Sequence, residues 1–92
     1  MFAKITKSNI KRETPKAYLV EFTSEIWLPK SQVEFCTIND ETYIYIPNWL
    51  ARKNSYGIGY HPRLISWMSK EEASERRGLT IDWMSKEKAF AA

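Results

Sequence analysis

Four short segments between Lys16 and Ile46 alternate apolar and polar residues, and this run constrains the fold more than any other feature. The segments are residues 16–22, 25–28, 32–38 and 42–46. Successive side chains of a strand point to opposite faces, so a period of two predicts half-buried β-strands. The connections are short, which predicts antiparallel neighbours in a β-meander. Pro29 cannot donate a hydrogen bond to a neighbouring strand, and we expect the sheet to curve there.

The change from strands to helices is predicted at a proline. Pro47 ends strand pairing, Asn48 can cap the helix that follows, and Pro62 suits the first turn of another helix. We therefore expect an α+β fold in which an antiparallel meander of three to five strands forms residues 1–46. Residues 47–92 should be helical and pack on one face of that meander.

The length of the chain, 92 residues, allows one small domain with a single core. Aromatic residues make up 14% of the sequence, which is high for a domain of this size. These rings either fill the interior or line a binding surface. The sequence therefore raises the question of which rings are free to contact a partner.

Charge and cysteine content indicate the location and the partners of the protein. The net charge is +3, and residues 1–30 and 51–69 are the basic segments. A nucleic acid or an acidic protein surface would suit them. Cys36 is the only cysteine, so no internal disulfide can form. The sequence has no signal-peptide pattern and no run near the ~18 apolar residues of a membrane span, so we expect a cytoplasmic protein without membrane contact.

Residues that carry most enzyme chemistry are scarce. His61 is the only histidine, so a zinc site would lack ligands. Cys36 lies in a predicted strand, where a small buried hydrophobe is a better explanation than a nucleophile. Gly57 and Gly59 lack the third glycine of a dinucleotide site, and there is no Gly-Lys-Ser/Thr phosphate loop. We expect no catalytic residues, no metal and no cofactor.

Aromatic and basic residues indicate a binding protein instead. Basic side chains follow the phosphates of single-stranded nucleic acid, and its bases stack on aromatic rings. We predict such a surface from Lys16, Trp27, Lys30, Tyr43, Tyr45, Arg52 and Lys53, extended by Tyr56, Tyr60 and Arg63. The competing interpretation makes Trp27 and Trp49 core or hinge anchors and places the tyrosines beneath the C-terminal tail.

A nine-residue segment occurs twice in the C-terminal part of the chain, residues 65–92, which we call the tail. Residues 65–73 and 81–89 share seven identities at an offset of sixteen, including Trp-Met-Ser-Lys-Glu. One continuous helix would turn the second copy to nearly the opposite face, and Gly78 predicts a helix end between them. Ser69 followed by Glu72 fits a capping box, whereas the second copy lacks this glutamate.

The repeated Trp-Met pair has two interpretations. The simpler one is a second anchor for the same sheet. The other is a protein interface, since tryptophan and methionine are enriched at such sites. Its residues would be Trp67, Met68, Trp83 and Met84. A host protein or a second copy of the chain, forming a homodimer through the C-terminal helices, would be the partner.

Residues 26–33, IWLPKSQV, and residues 46–53, IPNWLARK, resemble a pattern in small uncharacterised proteins of bacteriophages and mobile elements. In that pattern, a strand ending in Trp-Leu/Ile-Pro-Lys-Ser precedes a Pro-x-Trp-Leu-Ala helix start. The resemblance implies a phage or prophage origin, the host cytoplasm as location and no catalytic residues. We predict a non-catalytic, phage-type nucleic-acid-binding protein. The alternative is an inhibitor or adaptor that acts on a host or defence protein through the Trp-Met tail.

Overall fold

The computed structural model describes residues 1–59 and 67–91. Its strands are β1 (Phe2–Lys4), β2 (Ile10–Glu13), β3 (Ala17–Glu21), β4 (Glu25–Pro29), β5 (Glu34–Ile38), β6 (Glu41–Tyr45) and β7 (Asp82–Met84). Its helices are α1 (Asn48–Lys53), α2 (Ser55–Ile58) and α3 (Lys86–Ala89), with a 3-10 turn at Lys7–Asn9 and a π-helical turn at Glu72–Arg76. All paired strands are antiparallel, so the predicted α+β class is confirmed.

The described strands form two sheets. Sheet 1 has the order β1-β6-β5-β7, and sheet 2 has the order β2-β3-β4. The chain leaves sheet 2 directly after Pro29, whose carbonyl accepts a hydrogen bond from the Gln32 N–H at 3.0 Å. The expected curvature at Pro29 is therefore a turn that carries the chain from one sheet to the other.

The main core lies between the two sheets. Val20 and Ile26 are opposite each other on β3 and β4, and with Leu28 they face sheet 1. Sheet 1 supplies Phe35 and Ile44, which are also opposite each other. α1 and α2 border this core through the buried residues Leu50, Ala51 and Ile58. The alternation in the sequence thus places one apolar side of each sheet inside.

The other side of sheet 1 is buried as well, because the tail covers it. Phe2, Cys36 and Tyr43 pack there with Met68 and Ala73 of the tail, and we call this group the second core. Cys36 is fully buried, and burial raises the pKa of its thiol to about 12. This environment suits a small hydrophobe.

The predicted cap at the start of α1 is not formed as expected. Helix α1 begins at Asn48 itself, and Pro47 precedes it without a side-chain cap. The Asn48 Oδ1 atom instead accepts a hydrogen bond from the Met1 amine at 3.0 Å, and the same amine donates to the Ile46 carbonyl at 2.7 Å. Burial lowers the pKa of this amine to about 6. Asn48 therefore ties the first residue to α1.

Part of the second copy of the duplicated segment is a strand, where a helical region was expected. β7 pairs with β5, with Trp83 opposite Cys36 and Met84 opposite Phe35. The edge of β5 offers hydrogen bonds to an extended segment, and this tertiary pairing overrides the local pattern. Gly78 has a φ of +62° and ends the preceding π-helical turn region, as predicted.

Both copies nevertheless contain the same capped turn. The Ser69 Oγ accepts a hydrogen bond from the Glu72 N–H at 3.1 Å, and the Ser85 Oγ accepts one from the Lys88 N–H at 3.2 Å. The cap also forms in the second copy, where Lys88 stands in place of the glutamate, because the serine needs only the backbone N–H three residues later. The alanine that ends each copy packs into a different core, the second core for the first copy and the main core for the second.

Replacing either capping serine with alanine should destabilise the protein by about 1 kcal/mol, because a backbone N–H loses its acceptor. Urea denaturation of Ser69→Ala and Ser85→Ala measures this change. The exposed turn residue Ser31 provides the control, and Ser31→Ala should stay within about 0.5 kcal/mol of the parent. Equal midpoints for all four proteins would contradict a capping role.

The predicted helix at Pro62 and the candidate residues Tyr60, His61 and Arg63 lie outside the described residues.

Candidate binding surface

Three side chains form a row across the solvent-facing side of sheet 2. Leu19 on β3 is opposite Arg12 on β2 and opposite Trp27 on β4. Residues directly opposite each other in antiparallel strands point to the same side of the sheet. We call this side the outer face. Trp27 is 47% exposed there, and Arg12 is also exposed.

Leu19 gives the row an apolar centre. Its side chain belongs to neither core, yet it is buried. In the register of the sheet it is flanked by Arg12 on one neighbouring strand and by Trp27 on the other. A flat apolar ligand could lie against the tryptophan with Leu19 beside it.

A second exposed ring lies on the helix that packs against the start of β4. Tyr56 on α2 is 97% exposed. The helix is held by its Gly57 carbonyl, which accepts hydrogen bonds from the N–H groups of Thr23 at 2.8 Å and Ser24 at 3.0 Å. A Cβ atom at Gly57 would collide with Ile26, so glycine is required for this close approach. Tyr56 and Trp27 thus lie on adjoining elements, but α2 packs against Ile26, which points to the side of β4 away from Trp27.

Charge is unevenly distributed over the outer face. The Lys11 Nζ lies 3.4 Å from a carboxylate oxygen of Glu21, so this lysine is already paired. Glu21 and Glu25 are opposite each other near the turn between β3 and β4. Arg12 and Lys16 are exposed toward the other end of the face. A negatively charged ligand would therefore approach from the Lys16 end.

The structure separates the residues that we predicted to form one surface. Trp27 lies on the outer face, and Lys16 lies at its end. Tyr43 and Tyr45 lie instead on the side of sheet 1 that the tail covers. Tyr43 is 7% exposed and its hydroxyl donates to Glu41 at 3.0 Å, so it is not available for stacking. Burial, reinforced by Glu41, raises the pKa of Tyr43.

Tyr45 is partly buried within an aromatic cluster. Its ring centroid lies 4.9 Å from that of Phe2 and 5.9 Å from that of Trp83. The alternation correctly placed the two tyrosines on one side of β6, but this side faces the tail. The interpretation that the tyrosines pack beneath the tail therefore describes the structure better than a free tyrosine surface.

The remaining predicted cations lie elsewhere. The Lys30 Nζ is 2.6 Å from a carboxylate oxygen of Glu13 and 4.9 Å from the centroid of the Tyr18 ring. It is therefore engaged in internal contacts away from the outer face. Arg52 and Lys53 are exposed in the last turn of α1, a separate element.

Of the four residues predicted to form a protein interface in the tail, the two tryptophans are exposed and the two methionines are not. Met68 is buried in the second core, and Met84 is half-buried opposite Phe35. Trp67 and Trp83 are 41% and 37% exposed. The Trp83 ring also lies 4.8 Å from the Nζ of Lys70, a lysine that pairs with Glu34. Trp67 is thus the more accessible of the two rings.

Sequence reasoning missed Arg12, and the structure shows why. The register of β2 against β3 shifts between Ile10 and Arg12. An irregularity of this kind adds a residue to one strand and breaks its period of two. The alternation used to predict strands therefore does not extend to residues 10–13, which form β2.

Residues 1–59 and 67–91 contain no group of three His, Cys, Asp or Glu side chains arranged to hold a metal ion. The helices within the same ranges include none with the length and hydropathy to cross a membrane. Comparison with protein families, curated proteins and solved structures found no match to this chain.

Proposed function

We propose that the chain is a non-catalytic binding protein, of the phage type that its sequence resembles, and that it holds single-stranded nucleic acid on the outer face. The row formed by Arg12, Leu19 and Trp27 is the observation that carries this proposal. It combines an exposed indole, an apolar neighbour and a cation on one side of a sheet. These are the elements that bind a base and its phosphate together.

The spacing of the row suits a strand that crosses it. Neighbouring strands are about 4.8 Å apart, so Arg12 and Trp27, two strands apart, are separated by about 10 Å. A base can stack on Trp27 while the backbone phosphates next to it reach Arg12 and Lys16.

Replacing Trp27 with alanine should weaken binding of a labelled single-stranded oligonucleotide by roughly 5- to 150-fold, because one base stack contributes about 1–3 kcal/mol. Fluorescence anisotropy at low salt measures the affinity. Trp49→Ala is the matched control, since Trp49 is also exposed but lies on α1. Its affinity should equal that of the parent chain.

Salt gives an independent test of the same surface. Neutralising two or three phosphates predicts a slope of log K against log salt of about −1.4 to −2.1. Arg12→Gln should reduce this slope by about 0.7. The proposal fails if neither single-stranded DNA nor single-stranded RNA binds at low salt. It also fails if Trp49→Ala weakens binding as much as Trp27→Ala.

The second candidate function is protein binding through the tail, and the exposure of Trp67 favours it. Exposed tryptophans dominate the binding energy of many protein interfaces. A chain that sediments as a dimer, becomes monomeric with Trp67→Ala and does not bind oligonucleotides would support this alternative. Its association should depend weakly on salt.

A further inference from the structure

A groove of about 580 Å³ lies between β2 and α3, apart from the aromatic side of the outer face. Ligand sites for small molecules commonly have volumes of this size. Strand β2 forms one wall, and α3 with the residues after it forms the other. The lining residues are Lys7, Ile10, Lys11, Arg12, Glu13, Lys86, Glu87, Phe90 and Ala91.

The groove has an apolar floor. Ile10 and Phe90 are partly buried and pack against the main core. The Phe90 ring is fixed edge-on to Phe35, with the ring centroids 5.6 Å apart and the planes at 72°. A flat apolar group can therefore lie on a surface that the core already holds in place.

Positive charge surrounds this floor. Four cations and two carboxylates line the groove. Glu13 is occupied, because it pairs with both Lys30 and Lys86, and these hydrogen bonds hold its pKa below the ordinary value. Among the described residues, no ion pair involves Lys7 or Arg12. Two cations are thus left to balance a ligand of opposite charge.

The edge of β2 is poorly suited to receive a peptide strand. A peptide that extends a sheet needs a regular row of backbone hydrogen-bonding groups. The register shift between Ile10 and Arg12 interrupts that row, and charged residues occupy the positions beside it. Both features are known to discourage strand addition. The groove therefore favours a small anion over an extended acidic peptide.

We infer that this groove binds a phosphate monoester that carries a flat apolar body, as a nucleoside monophosphate does. The phosphate, with a charge of about −1.5 to −2 at neutral pH, matches the two available cations. The base lies on Ile10 and Phe90. Arg12 borders both surfaces, but Lys7 belongs to the groove alone, so this inference does not depend on nucleic-acid binding at the outer face.

The test is a titration of the isotope-labelled full chain with adenosine 5′-monophosphate, followed by NMR chemical shifts. Changes should concentrate in residues 7–13 and 86–91. Lys7→Gln removes one charge-assisted hydrogen bond and should weaken binding about tenfold. Lys53→Gln is the matched control, because Lys53 is exposed on α1 and does not line the groove. Its affinity should be unchanged.

Two further ligands separate the parts of the inference. Adenosine lacks the phosphate and inorganic phosphate lacks the base, so each should bind at least tenfold more weakly than the whole nucleotide. The inference is overturned if the monophosphate produces no shifts in these residues, or if adenosine binds equally well. It is overturned likewise if inorganic phosphate or a short polyglutamate peptide binds as tightly as the nucleotide.

Discussion

Replacing Phe2 with alanine is expected to lower the free energy of unfolding by about 3–5 kcal/mol, which is the usual cost of removing a buried phenyl ring. Phe2 is fully buried in the second core, and its ring lies 4.9 Å from that of Tyr45 and 6.0 Å from that of Trp83. The ring joins edge strand β1 to the tail. Small domains have total stabilities of about 5–15 kcal/mol, so much of the fold should be lost.

Urea denaturation followed by circular dichroism measures this effect. Tyr56→Ala is the control, because it also removes an aromatic ring but from a side chain that is 97% exposed. Its unfolding free energy should change by less than about 0.5 kcal/mol. Similar losses in the two variants would mean that the second core contributes little to stability.

Ending the chain after Gly78 should unfold most of the protein at room temperature. The deletion removes β7 and α3, and with them Met84 opposite Phe35 and the Phe90 ring that packs on Phe35. It also removes Leu79 and Ile81, which pack against the second core. Four partly buried apolar side chains contribute roughly 1 kcal/mol or more each, so the loss approaches the whole stability of a small domain.

Dispersion of amide resonances in an NMR spectrum reports this outcome directly. A chain ending at Phe90 keeps β7, α3 and the phenyl ring, and it should remain folded. A folded, well-dispersed spectrum for the chain ending at Gly78 would show that residues 79–90 are dispensable for the sheet. The deletion is consequently unsuitable as a test of partner binding by the tail, and Trp67→Ala is the appropriate variant.

The period-two alternation was sufficient to predict β3 to β6, although only β3 and β4 have a single side in a core, whereas both sides of β5 and β6 are buried. It could not predict β7, whose three residues become a strand only because the edge of β5 is available. The pattern gave no sign of two sheets either. A proline indicates where pairing ends, whereas the position of the next strand depends on contacts distant in sequence.

For the candidate surface, too, the sequence predicts which side chains share a side of a strand but not which side is exposed. Alternation showed that Tyr43 and Tyr45 share a side of their strand and that Trp27 is on the side away from Ile26 and Leu28. It could not show which side another segment would cover. The tail covers the tyrosines and leaves Trp27 exposed, because Met68 and Ala73 of the tail pack in the second core, on the tyrosine side of sheet 1.

The opposite edges of sheet 1 come from the two ends of the described chain. Residues 2–4 form one edge and residues 82–84 form the other, and Lys86 pairs with Glu13 across a separation of 73 positions. During synthesis on the ribosome, β1, β6 and β5 can pair first, but the edge of β5 stays unpaired until residue 84 has emerged. Contacts between such distant residues form slowly. The nascent protein should consequently complete sheet 1 late, and the exposed edge of β5 is its aggregation-prone element until then.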